Sequence, residues 1–255
     1  DYLLGVVLIN GRAELLTFGG QVMKNVAGYD VSRLMAGAWG TLGLLTEVSL
    51  KVLPVAPAEA TLRFECNQAD ALRKLHTWGG QPLPLNASCW VEDAGVGQLY
   101  VRLRGAVAAV DAACKSMGGT RLDNATAAPD WQACREQTLP WFAARLARPG
   151  QALWRLSLPA TAPVLALPGG VSPLVEWHGA LRWVQAPLAH GDVLREAARA
   201  VGGSASLFIA DGAVGERAGG QLDLKSAALE QIHARLKHSF DPAGIFNPGR
   251  MAPQW

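Results

Sequence analysis

Three glycines, Gly37, Gly40 and Gly43, recur at three-residue intervals immediately ahead of an alternating stretch. Glycines so placed allow a backbone to approach a ligand closely, because no Cβ stands in the way. What that approach can serve depends on the elements they join. A Rossmann dinucleotide site needs a strand, then G-x-G-x-x-G, then a helix whose N-terminus meets the pyrophosphate. Here a short helix capped by Asp30 and stopped at Gly37 comes first. A strand over 45–52 follows, its alternation clearest from Val48 onward. The spacing is GxxGxxG, and no Gly-Lys-Ser/Thr follows, so a P-loop is excluded too. Alone, the pattern is equally a tight turn between helix and strand.

The other chemistry-bearing residues do not group. His76, His178, His190, His233 and His238 are scattered without metal-ligand spacing. His233 and His238, five apart, lie too far round a helix to share a face. Cys66, Cys89, Cys114 and Cys134 contain no CxxC pair. That excludes the usual iron–sulfur ligation and reads as buried structural thiols in a reduced setting. Arg102 and Arg104 alternate onto one strand face, as exposed strand arginines commonly do. No catalytic residue and no metal site is assigned.

The elements that must position the glycines belong to a globular chain of 255 residues, half hydrophobic and 17% charged, with net charge +2. The charge and the lack of a Lys/Arg run leave no electrostatic case for nucleic acid. No apolar stretch approaches the roughly 20 residues of a membrane helix. Nine tryptophans and low charge hint at a large buried interface, although any single Trp is more simply core.

The chain opens on an apolar strand and an Asn10-Gly11 hairpin turn. After the prolines at 54 and 57, strands at 61–65, 87–92, 98–104 and 120–122 enclose helices at 68–78 and 106–117. This is the β-α-β-β-α-β order of a ferredoxin-like unit. A looser second unit starts at 152–158, with a hairpin over 174–187, a helix at 192–201 and a strand at 206–209. Its first helix is missing, because 159–173 is proline-rich and irregular. Residues 124–149 read as helical or as a lid. A last helix over 226–239 has apolar positions Leu229, Ile232, Leu236 and Phe240, and stops at Asp241-Pro242.

Three segments carry a resemblance: KNVAGYD at 24–30, GAWGTLGLLTEVSLKVLP at 37–54 and FDPAGIFNPGRM at 240–251. In this order they resemble the vanillyl-alcohol-oxidase-type FAD-linked oxidases, and among these the FAD-binding subunits of glycolate oxidase (glycolate dehydrogenase). The resemblance implies an α+β fold: the second half of a VAO/PCMH-type FAD-binding domain plus a ferredoxin-like α+β cap. The domains would be 1–57 (flavin domain), 58–239 (cap with two ferredoxin-like units) and 240–255 (a tail returning to the flavin).

The implied cofactor is FAD. The family pattern brings the loop of Lys24, Asn25 and Gly28 near it, with Tyr29 as an anchor. Gly40, Thr41, Gly43, Leu44 and Leu45 would offer glycines and main-chain amides to the flavin edge, and Asn247 would reach the isoalloxazine. Implied partners are a larger flavoprotein subunit, an iron–sulfur subunit and a small 2-hydroxy acid. The overall reaction would take glycolate to glyoxylate, with electrons leaving through flavin toward a membrane acceptor. The implied setting is cytoplasmic, peripheral at the inner membrane through the complex.

Two departures shape this expectation. The family's preceding subdomain, with its pyrophosphate-gripping glycine loop, has no counterpart, which reads as a fragment holding one wall of a flavin site. Catalytic relatives carry HxGDGNxH, and the nearest stretch, 207–213, keeps only Asp-Gly. The chain is therefore expected to support electron transfer rather than hold the substrate's base. The alternatives are an independent D-lactate-type FAD-dependent dehydrogenase and a non-catalytic assembly subunit that has lost flavin.

Overall fold

The computed structural model describes residues 2–20, 30–210, 223 and 226–252. In chain order, β1 (Leu3–Ile9), β2 (Leu15–Gly19), α1 (Val31–Met35) and β3 (Leu44–Leu50) come first. Then follow β4 (Ala58–Glu65), α2 (Gln68–Gly79), β5 (Leu85–Asp93), β6 (Val96–Gly105), α3 (Val107–Met117) and β7 (Thr120–Leu122). Next are α4 (Asn124–Glu136), α5 (Pro140–Ala143), β8 (Ala152–Ser157), β9 (Leu174–Glu176) and β10 (Leu181–Ala186). The order closes with α6 (Gly191–Ala200), β11 (Ser204–Ile209) and α7 (Ala227–Phe240).

These elements form two compact units, Asp1–Pro54 with Arg217–Trp255, and Val55–Glu216. The first holds an antiparallel sheet in the order β2-β1-β3. Its core is Val6, Leu8, Met35, Ala38 and Leu42, onto which Leu236 and Phe240 of α7 pack. That packing puts α7 in this unit, although the sequence reading ran the cap to residue 239. Only the C-terminal half of the expected apolar stripe is used, because Leu229 and Ile232 are exposed. The hairpin also differs from expectation. Five residues, not an Asn10-Gly11 pair, join β1 to β2, and Ala13 rather than Gly11 takes the left-handed conformation at φ 59°. Asn10 organises the loop by accepting from the backbone amides of Arg12 and Glu14 at 2.9 and 3.0 Å.

In the second unit, β4 to β7 pair in the order β5-β6-β4-β7, the ferredoxin-like plan read from the sequence. Strands β8 to β11 repeat it as β11-β8-β10-β9. The two halves are not separate packed layers. β5 pairs antiparallel with β9 through Cys89↔Glu176 and Trp90↔Val175, giving one eight-stranded sheet. One face carries the core of Leu62, Leu75, Leu99, Val101 and Leu103 under α2 and α3. The other is covered by α4 and α5 through Ala127, Trp131 and Phe142, so residues 124–143 are core-forming helix rather than lid.

Where the second ferredoxin-like half lacks its first helix, a buried charge substitutes. Arg182 of β10, fully buried, donates from Nη2 to the Ala162 carbonyl at 2.7 Å and from Nη1 to the Pro163 carbonyl at 2.6 Å. This ties down an irregular segment whose carbonyls have no helix to bond them. Burial pushes its guanidinium down to about 10. Arg102 and Arg104 are not free surface charges, since both pair with Glu59, Arg102 in bidentate fashion at 2.7 and 2.8 Å. Cys89 and Cys134 are buried. The Cys134 thiol is pushed far up by its hydrogen bond with Cys89, then by burial, and it donates to Glu176 at 2.8 Å. Trp78, Trp90, Trp131, Trp154 and Trp183 are buried within the unit, so the tryptophans are chiefly core.

Candidate functional site

The site grows from the turn between α1 and β3. Asp30 starts α1 by accepting from the Arg33 amide at 3.2 Å, and the helix lasts only five residues. The chain then turns through left-handed conformations at Gly37 (φ 85°), Trp39 (φ 54°) and Gly40 (φ 68°). A non-glycine residue held there is uncommon, and Trp39 is stacked upon by the Arg250 guanidinium 5.1 Å from its ring centroid.

Gly40 and Asn247 meet. The Asn247 amide donates to the Trp39 and Gly40 carbonyls at 3.0 and 3.2 Å. A Cβ on Gly40 would stand 2.7 Å from that same amide nitrogen, so only glycine leaves room for it. Gly43 is tight for another reason: its Cβ would lie 2.7 Å from the Ile9 carbonyl oxygen on β1. Thr41 is buried, and its hydroxyl donates to the Ala38 carbonyl at 2.7 Å and lies 3.4 Å from Met251 Sδ. Its amide donates to Ala38 as well, at 3.0 Å, so what Thr41 provides is turn geometry.

Leu44 and Leu45 open β3, where every residue from Leu44 to Val48 is exposed. A half-buried strand alternates inside and outside. This one, at the sheet edge, shows both faces, with Leu44 57% and Leu45 42% exposed. It is an apolar wall beside the glycine turn. Lys24, Asn25 and Gly28, together with Tyr29, lie outside the described residues, as do the Asp-Gly residues Asp211 and Gly212.

The residue that sequence reasoning missed is Lys237. It is 5% exposed on α7 and donates to Asp241 Oδ2 at 2.6 Å, the Thr41 carbonyl at 2.8 Å and the Phe246 carbonyl at 2.8 Å. Asp241 accepts in turn from the Ile245 and Phe246 amides at 3.0 and 2.7 Å. Burial would raise the Asp241 carboxyl, but the bonds from Lys237 and these amides outweigh it and hold the group below its ordinary range. The only sequence trace is a Lys–Asp pair at i, i+4, which usually marks a solvated helix end. Among the described residues no group of three His, Cys, Asp or Glu could hold a metal.

The Asn247 amide seated in the Gly40 turn and the apolar strand open on both faces beside it make a surface that would fit the flat edge of a flavin. Gly40, Gly43, Leu44, Leu45 and Asn247 are the residues that would line it. A bound flavin would supply hydride acceptance. The chain's own residues would orient the ring and exclude water from that edge.

No protein-family model matches the chain. It is similar to the glycolate oxidase subunit GlcE of Escherichia coli K12, 44% identical over 98% of this chain and 65% of GlcE. The chain thus spans a little under two thirds of that relative. It is 39% identical to the glycolate oxidase subunit GlcD of Bacillus subtilis, over 28% of this chain and 15% of GlcD. Among solved structures, alkyldihydroxyacetonephosphate synthase matches 97% of this chain and 51% of its own, with TM-score 0.53 and 15% identity. The Physcomitrella patens BBE-like 1 variant D396N matches all of this chain and 66% of its own, with TM-score 0.52 and 14% identity. At such identities the structural likeness speaks for the fold alone, which this chain shares with these two structures.

Proposed function

We propose that this chain, a relative of the glycolate oxidase subunit GlcE, is an FAD-binding subunit of a glycolate oxidase-type complex and supplies one wall of its flavin site. The observation that carries the reading is the contact of Asn247 with the Gly40 turn beside open β3, in a chain 44% identical to GlcE over nearly its whole length. The complex oxidises glycolate to glyoxylate, and this chain holds the flavin for electron transfer rather than the substrate's base. A larger flavoprotein subunit and an iron–sulfur subunit are its partners. Among the described residues no helix is long and apolar enough to cross a membrane. Peripheral attachment at the inner membrane through the complex is part of the same proposal.

The domain reading belongs to this proposal: the wall lies in the 1–57 flavin part, the cap holds the ferredoxin-like halves, and the 240–255 tail completes the wall through Asn247. Lys24, Asn25 and Gly28 are assigned to the cofactor loop. The D-lactate-type alternative has less support, since the D-lactate dehydrogenase of Anaerostipes hadrus aligns with only 24% of the chain. The visible absorbance spectrum of the protein at its native length tests the reading. Flavin bands bound at stoichiometric level are expected. A folded, flavin-free protein would favour an assembly subunit, and the oxidoreductase assignment would fall.

A further inference from the structure

We infer that Lys237 is a positioning residue for the proposed flavin wall, the clasp that sets Asn247 and the Gly40 turn in register. This rests on the flavin reading above. An ammonium has three donors, and here each reaches a different segment: Asp241 at the end of α7, Thr41 in the glycine turn and Phe246 in the tail. Phe246 is the neighbour of Asn247, and Thr41 is the neighbour of Gly40. The clasp and the Asn247 contact are therefore adjacent rungs joining the same two strips of backbone.

A cation buried this deeply is an expensive way to gain stability. The desolvation of both charges offsets much of their attraction, and an apolar residue of similar volume often serves as well. What an apolar residue cannot do is bond two carbonyls 205 positions apart in sequence order, Thr41 and Phe246, to one nitrogen. The gain from Lys237 is geometric. It fixes which tail residue faces Gly40, where the missing Cβ leaves space for the Asn247 amide.

The test uses the protein at its native length and two double variants. Lys237→Met/Asp241→Asn removes both charges together, leaving no stranded ion, while the Asn carbonyl still accepts from one of the two tail amides, a loss that both double variants share. Lys237→Gln/Asp241→Asn also removes both charges but keeps an amide donor for the two carbonyls. Circular dichroism checks the fold of each. Flavin dissociation constants and visible band shape are the readouts. The Met variant should bind FAD at least about tenfold more weakly with an altered band, and the Gln variant should recover most of the loss. Wild-type affinity and band shape in the Met variant, or equal losses in the two folded variants, would overturn the inference. A wild-type protein that binds no flavin would instead remove the reading on which it rests.

Discussion

Gly40→Ala tests the site most directly, and Gly37→Ala is its natural control. Both glycines hold left-handed backbone, at φ 68° and 85°. An L-residue there costs about 1–2 kcal/mol from Cβ crowding alone. They differ in surroundings. A Cβ at Gly37 meets nothing within 4 Å, whereas one at Gly40 lies 2.7 Å from Asn247 Nδ2. Gly40→Ala must therefore also displace the Asn247 amide from the two carbonyls it bonds at 3.0 and 3.2 Å. Asn247 is exposed, so each bond belongs at the low end of the usual range, about 0.5 kcal/mol, and the pair is worth about 1 kcal/mol. Urea unfolding should show Gly40→Ala about 1 kcal/mol more destabilising than Gly37→Ala. In an Asn247→Ala background that excess should vanish, because the displaced group is gone. Flavin affinity should follow the same order, with Asn247→Ala and Gly40→Ala both impaired and Gly37→Ala near wild type. Equal costs for the two glycine variants, or an excess that survives in the Asn247→Ala background, would refute the argument that the tail amide is held in the turn.

Three further outcomes follow from packing and charge. Arg182→Met should destabilise the second unit by about 2–4 kcal/mol, since two charge-assisted bonds to the Ala162 and Pro163 carbonyls are lost, and hydrogen exchange should rise at 159–173. Leu99→Ala, at a fully buried β6 position, should cost about 2–5 kcal/mol in urea unfolding by leaving a cavity. Asp241 has a folded pKa below its unfolded value of about 3.9. Its contribution is thus fully present above that value and lost as pH falls through the lower folded value. Flavin retention should hold to about pH 4 and then fail, and Asp241→Asn should remove that acid-side dependence.

Local pattern made much of the fold legible. The strand alternation and helix stops between Ala58 and Leu122 specify β-α-β-β-α-β because each element's face and period are written in neighbouring residues. The same holds for the cap at Asp30 and for the Gly37–Gly43 turn. The Asn10-Gly11 dipeptide suggested the wrong turn because Gly11 is needed for a tertiary reason. A Cβ there would stand 2.7 Å from the Asp241 Cα, a neighbour 230 residues away in sequence.

Asn247 was singled out only by the resemblance of its NPG tail, and the structure shows its contact with the Gly40 turn, whereas Lys237 looked like any basic residue in a last helical turn. Only packing decides that its ammonium is buried against Thr41 and Phe246. The join of two ferredoxin-like halves through three-residue β9 was equally invisible, since so short a strand has too little periodicity to name its partner. The sequence by itself determined the elements, their order and the glycine turn, because propensity and hydrophobic period act over a few neighbouring residues. The tertiary structure alone decided the single eight-stranded sheet, the buried arginine that replaces a helix and the lysine clasp, because each depends on desolvation and on partners brought together from distant parts of the chain.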